Sequence, residues 1–343
     1  MISISYHADL KEVQVDPALA GLLGEDARSP FDRLEWWSNL CDSFGYIPLI
    51  AVARNKNGGV VLPLRRVGHR VEALTCWYTF RVEPLFWGRL DHRRDEDEAL
   101  LQAIFRDLRR KTSRLVLAPL PDDEHSRIAR KLALVLSSVG WFVRQEQCDV
   151  NHILSVQGRS YPEFLATRPG QLRTTLKRKS GKVETTIYQD FTDEIWDDYE
   201  SVYRASWKPE EGSFTFLRRF AQGEAAAGRL RLGLASHDGL PVAAQLWTVD
   251  HGTAYIHKLA HTEKSKSLSP GTTLSAALFQ HVIDADRVAL VDFGTGDDTY
   301  KRDWMDGVRP RYRIDALNPS SPRAWPHIAR AGLRRLARRG RHG

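Results

Sequence analysis

The segment Gly228–His261, GRLRLGLASHDGLPVAAQLWTVDHGTAYIHKLAH, decides the fold. Three apolar runs are divided by Asp238-Gly239 and by Asp250-His251-Gly252. Asp, Asn and Gly tolerate the positive φ that tight hairpins require, so the segment reads as a three-stranded antiparallel meander. An earlier segment, Pro48–Trp77, PLIAVARNKNGGVVLPLRRVGHRVEALTCW, repeats the plan with Asn57-Gly58-Gly59 and Gly68-His69 at its turns.

Each meander leads into a helix and a further strand. In the first half Asp95–Lys111 carries acids at its start, bases at its end and Leu101, Ile104, Phe105 and Leu108 at helical spacing, ahead of the strand RLVLAPL, Arg114–Leu120. In the second half SPGTTLSAALFQHVIDAD, Ser269–Asp286, precedes RVALVDFG, Arg287–Gly294. The expectation is an α/β (α+β) protein of two tandem units, each a mixed, mainly antiparallel sheet flanked by helices. A length of 343 residues also favours two domains. The reading places them at residues 1–158 and 159–320, followed by a tail at 321–343. The polar, basic connector Ser160–Val183 opens the second half. There Trp196, Tyr199 and Tyr203 share a helix face.

The net charge of +7 is matched by the tail alone, which holds seven arginines and no acid. The remainder is formally neutral, which argues against a DNA-binding body. Trp325, Leu333 and Leu336 fall at helical spacing opposite Arg330, Arg334, Arg338 and Arg341, giving a small basic amphipathic helix suited to reversible contact with an anionic membrane or an acidic carrier protein. The three cysteines, Cys41, Cys76 and Cys148, have no metal or redox spacing. With no window near the ~18 apolar residues of a membrane span and no apolar leader, the reading is cytoplasmic, with the tail able to hold the chain at the inner membrane face.

Two stretches can carry chemistry. In YIHKLAHTEKSKSLSPGTTL, Tyr255–Leu274, Ser269 stands at an N-cap, Pro270 at the first helical position, and Gly271 lets a ligand approach the first N–H groups of a helix. Such a corner accepts a pyrophosphate, and Lys264 and Lys266 lie beside it. It is equally an ordinary helix start. In VDFGTGDDTYKRDW, Val291–Trp304, a buried strand ends in Asp292, followed by Tyr300 and Lys301. Asp292 can instead cap the turn, and Lys301 can pair with Asp297 or Asp298. No Ser-His-Asp order, zinc spacing or Walker sequence occurs, and no metal is expected.

The order meander, polar loop, glycine-bearing helix start and strand is similar to the GNAT fold, whose pyrophosphate loop follows Gln/Arg-x-x-Gly-x-Gly/Ala. Lys266-x-x-Ser269-x-Gly271 keeps that spacing with Lys and Ser substituted. Ser269-Pro270-Gly271, Asp292-Phe293-Gly294-Thr295-Gly296, Tyr300-Lys301 and the basic run Arg173–Lys179 resemble the tandem-GNAT group of FemAB-like and CelD/BcsL-type acetyltransferases associated with the cell envelope. The resemblance covers roughly residues 160–318 and implies an N-acyltransferase that takes an acyl group from acyl-CoA, or from an acyl-carrier protein, to a primary amine of a cell-envelope or lipid precursor. No tightly bound cofactor is implied.

On that resemblance Lys266, Ser269, Gly271 and Thr272 hold the acyl-CoA. His257 acts as base with Asp292 orienting it or binding the substrate amine, Tyr300 protonates the thiolate and Lys301 binds a phosphate or a substrate carboxylate. Trp207, Lys208 and Gln245 line the acceptor site, with His261, on the same strand face by period two, as a substitute for His257. The first half is expected to lack an acyl-CoA site. Two alternatives remain open: a FemAB-like transferase using charged tRNA, and a non-catalytic binding module.

Overall fold

A computed structural model describes residues 1–88, 94–122 and 127–331 and divides them into two units. The first contains 1–149 and returns at 310; the second is 150–309.

In chain order the first unit has β1 (Ser3–His7), α1 (Leu10–Gln14), α2 (Pro17–Leu23), α3 (Leu34–Phe44), β2 (Ile47–Pro48), β3 (Ile50–Arg54), β4 (Gly58–Leu62), β5 (Leu64–Val67), β6 (Arg70–Ala73), β7 (Leu85–Gly88), α4 (Arg94–Lys111), β8 (Arg114–Pro121) and α5 (Ile128–Ser138). β9 (Phe142–Ser155) leads into the second unit: α6 (Tyr161–Ala166), α7 (Gly170–Lys179), β10 (Glu184–Tyr188), α8 (Asp193–Arg204), α9 (Phe214–Ala226), β11 (Leu230–His237), β12 (Leu240–Asp250), β13 (Thr253–His261), α10 (Pro270–Gln280), β14 (Leu290–Thr295) and α11 (Thr299–Trp304). β15 (Gly307–Leu317) carries the chain back.

The first meander departs from its expected form. Pro63 has no N–H for a ladder and splits the middle strand, so β3 and β4 pair in a four-stranded sheet, β1-β3-β4-β7, while β5 and β6 form a hairpin of a second sheet. In that second sheet β6 runs parallel to β8, which takes the last part of β15 as its antiparallel neighbour. The unit closes on Leu101, Ile104, Phe105 and Leu108 of α4, all fully buried, packed with Leu132, Val135 and Leu136 of α5.

The second meander forms as read. Asp238 and Gly239 at φ 51° and 75°, and His251 and Gly252 at 43° and 72°, make the two turns. Its sheet runs β10-β11-β12-β13-β14-β9, antiparallel except for the β13–β14 pair. On one face α10 packs Leu274, Leu278 and Phe279 against Trp247, Ala254 and Val291. On the other lies α8, with Trp196 and Tyr199 fully buried and their rings 4.7 Å apart.

The domain limits expected from sequence shift at both ends, because each last strand pairs outside its own half of the sequence. The end of β9 pairs with β14, so the second unit starts at 150 rather than 159. β15 pairs with β8, so 310–317 belongs to the first unit. The tail is helical from Trp325 to Ala331; Leu333, Leu336 and the arginines from Arg334 onward lie outside the described residues. Among the described residues no helix is long and apolar enough to cross a membrane.

Candidate active site

The second unit contains a parting of two parallel strands. β13 and β14 pair only from Thr253–Leu290 to Tyr255–Asp292. Beyond that point β13 follows β12 out to His261, whereas β14 follows β9 to Thr295. A wedge opens between them at their C-terminal ends. His257 sits at its mouth as the extra residue of a bulge, since Trp247 pairs with Ile256 and Leu246 with Lys258.

The bulge shifts the alternation of side chains. Tyr255, His257 and Lys258 all face α8 and α9: Thr248 Oγ1 is 2.9 Å from His257 Nε2, the Phe220 ring lies 4.8 Å from the imidazole, and Lys258 reaches Glu211. His261 therefore lies on the opposite face from His257, with its ring 4.2 Å from Trp207 and against Gly271. The period-two reading that grouped the two histidines fails at this one inserted residue.

Desolvation first, and the Lys258 charge second, push the His257 pKa down to about 3. The imidazole is neutral at physiological pH and a weak base for an alkylammonium of pKa ~10. Because the folded-state pKa lies below the unfolded value of ~6.5, the unfolded chain binds more protons between those limits, and stability falls as pH drops through that window. Acid titration of wild type against His257→Gln should show this slope in the former and a reduced one in the latter.

Asp292 is buried and accepts hydrogen bonds from Asn151 Nδ2 at 2.6 Å and from the Gly294 N–H at 2.9 Å. These bonds make it the cap of the turn, and no bond joins it to His257. Lys301, also buried, donates to the carbonyls of Thr295 and Gly296 and stands 3.9 Å from Asp298. Asp297 accepts from Arg302 at 2.7 Å and lies 2.9 Å from His152 Nε2. Gly294 and Gly296, at φ 63° and 96°, supply the left-handed backbone this turn needs. The acid- and glycine-rich stretch is thus a cross-braced turn that presents Tyr300 and Asp298.

Those two face a polar cluster that sequence reading did not assemble. Glu211, 2% exposed, lies 2.9 Å from Lys258 Nζ. Burial raises the Tyr203 phenol pKa, with Glu211 adding to it, and burial also raises that of Tyr300, reinforced by Asp298. Lys208 is lowered by burial against an opposing pull from Asp298. Both phenols stay protonated, so the cluster combines one buried carboxylate, two amines and two proton donors. Glu211 lies on the loop between α8 and α9, where no periodicity marks it.

On the other face, α10 begins at Pro270 after Ser269, which adopts φ 55°. Lys179 Nζ donates to Ser269 Oγ at 3.0 Å, bringing the basic α7 to this corner; Lys264 and Lys266 are exposed just before it, and Thr272 is in the first turn. Gln245 is fully buried, donating to the Gly271 carbonyl at 3.1 Å and to Ser275 Oγ at 2.8 Å while accepting from Trp247 Nε1 at 2.9 Å. It ties the helix start to β12 instead of lining an acceptor pocket. The loop carrying Trp207, Lys208 and Glu211 rounds the end of β13, with Trp207 on the α10 side and Glu211 on the α8 side. Among the described residues no group of His, Cys, Asp and Glu is arranged to hold a metal.

Residues 170–302, the span holding the wedge and the helix corner, match the family profile of the acetyltransferase (GNAT) domain. Similar folds include FemX, at TM-score 0.61 and 10% identity over 92% of this chain and 98% of that one. Another is the DUF2156 C-terminal domain of a candidate lysylphosphatidylglycerol synthetase from Agrobacterium fabrum, at 0.58 and 14% over 95% and 98%. A third is a tandem GNAT protein from the clavulanic acid biosynthesis pathway, at 0.53 and 15% over 94% and 100%. No curated protein matches the chain in sequence. Residues 170–302 thus match the GNAT acetyltransferase domain, and the chain as a whole has a fold similar to that of FemX and the tandem GNAT protein.

Proposed function

We propose that the second unit transfers an acyl group from acyl-CoA to a primary amine of a cell-envelope or lipid precursor, and that the first unit carries no acyl-CoA site. The parting of β13 and β14 carries the reading: an open seam there is flanked by the start of α10 on one face and a buried carboxylate–amine cluster on the other, which supports a site for an acyl donor. The first N–H groups of α10, with Lys179, Lys266, Ser269 and Thr272 around them, take the pyrophosphate. The thioester enters the wedge at His257. Glu211 receives the proton that the incoming ammonium must lose, Lys258 fixes the carboxylate, and Tyr300 protonates the departing thiolate. His257 and Asp292 shape the wedge and its turn, and Trp207, Lys208 and His261 border the acceptor path.

A Cβ at Gly271 would stand 3.3 Å from His261 Cδ2, and the larger Val would also cover the helix start. Gly271→Val should weaken acyl-CoA binding about tenfold, or ~1.4 kcal/mol, by titration calorimetry. Release of CoA thiol measured against a hexosamine and a sphingoid amine tests the transfer itself; turnover with neither, nor with other primary amines, would sink it.

A second reading has one observation in its favour. Arg173, Lys177 and Arg178 are exposed along α7 while Leu172 and Leu176 face inward, a basic stripe suited to an RNA backbone. Charged tRNA as donor would make activity ribonuclease-sensitive and steeply salt-dependent. Residues 321–343 add a site for an anionic membrane or carrier protein, and their deletion should reduce sedimentation with phosphatidylglycerol vesicles.

A further inference from the structure

The formal neutrality of residues 1–320 conceals an uneven distribution. The first unit contains a groove of about 1380 Å³ with no acidic residue in its lining. Cations reach it from three separate elements: Arg66 and Arg70 from the β5–β6 hairpin, Arg106, Arg109 and Arg110 from the end of α4, and Arg323 after β15. Basic residues in the last turn of a helix complement its dipole, which accounts for the α4 group alone. It does not account for two further elements bringing arginines to the same concavity.

Ion pairing does not neutralise the groove. Lys111 pairs with Asp107 at 2.6 Å and Arg70 with Glu72 at 2.7 Å. Arg109 instead donates to Ser320 Oγ at 2.9 Å and Arg106 to the Gln102 amide oxygen at 3.3 Å. Arg66, Arg106, Arg109, Arg110 and Arg323 have no salt bridge among the described residues. Like charges gathered this way repel, and an anion relieves the repulsion. The floor is set in advance: Thr112 Oγ1 and Ser113 Oγ both donate to the His69 carbonyl, at 2.9 and 3.1 Å, clamping the hairpin turn to the start of β8.

Position separates this groove from a relic of the acyl site. It lies where parallel β6 and β8 begin, at the Arg70–Arg114 pair, whereas the wedge of the second unit lies where β13 and β14 end. We infer that this groove is a binding site for a phosphate-bearing anion with at least two negative charges, either a free phosphorylated molecule or the headgroup of an anionic lipid. Five guanidinium groups offer more N–H donors than the two oxygens of one carboxylate accept, and their planar forks match phosphate oxygens in pairs.

The test uses the full chain with Arg66→Ala/Arg110→Ala, both exposed positions, and with Gly271→Val to report on the α10 corner. Inorganic pyrophosphate is titrated calorimetrically, and vesicles of cardiolipin, whose headgroup carries two phosphates, in phosphatidylcholine are tested by sedimentation. A loss of at least tenfold in pyrophosphate affinity in the arginine variant, with acyl-CoA binding unchanged, supports the site and a free phosphate ligand. A tenfold loss confined to vesicles supports the site with a lipid headgroup as its source. If neither probe distinguishes the arginine variant from wild type, whether or not pyrophosphate binding responds to Gly271→Val, the groove is not an anion site; the reading of the second unit survives that result. Failure of acyl-CoA binding alongside a responsive groove would overturn the reading of the second unit and leave this one standing.

Discussion

Glu211→Gln is expected to lower kcat by ~10²–10⁴ while leaving acyl-CoA affinity unchanged, the range typical of removing a positioned general base. The substitution is nearly isosteric and keeps an acceptor oxygen for Lys258, whose Nζ lies 2.9 Å from the carboxylate. It removes the carboxylate's charge and with it the capacity to take a proton, while keeping the shape of the side chain. A steady-state comparison at neutral pH separates the roles: loss in kcat with constant KM for acyl-CoA assigns Glu211 to chemistry. Undiminished turnover would return the search to His257, despite its pKa near 3.

The second large effect is on stability. Lys258→Met leaves the Glu211 carboxylate, 2% exposed, without its ammonium partner. Breaking a buried ion pair from one side costs ~3–5 kcal/mol, because the remaining charge stays desolvated. Urea unfolding should show that loss, and the double variant Lys258→Met/Glu211→Gln should recover part of it, since a neutral amide needs no counter-charge. Equal instability of the single and double variants would mean that the pair is not the source of the effect.

The contrast between Gln245 and Glu211 shows what sequence can convey. The meander of the second unit was legible because its turns use Asp-Gly and His-Gly, residues whose backbone freedom is local. The start of α10 was legible because Pro at the first helical position and Gly at the second act within one turn. Gln245 was expected to line the acceptor site, but only packing shows that Gly271, Ser275 and Trp247 consume its hydrogen bonds.

Glu211 meets Lys258 across 47 residues, and nothing local announces that meeting. The inserted residue at His257 is equally silent, yet it moves Lys258 onto the face that packs against α8 and His261 onto the other. The exchange of β9 and β15 follows from pairing partners outside each half of the sequence, so a boundary drawn from composition falls nine residues late at one end, 159 against 150. Local chemistry identified elements; the site required long-range register.

Calorimetric titration of the intact protein with CoA thioesters from acetyl to palmitoyl tests the central claim most directly. The account predicts saturable binding with one acyl-CoA per chain, weakened by Gly271→Val and indifferent to Arg66→Ala/Arg110→Ala. Strengthening with chain length would point to a lipid amide, and equal affinity across the series to an acetyl donor and an amino sugar. Absence of saturable binding for every thioester would contradict the account.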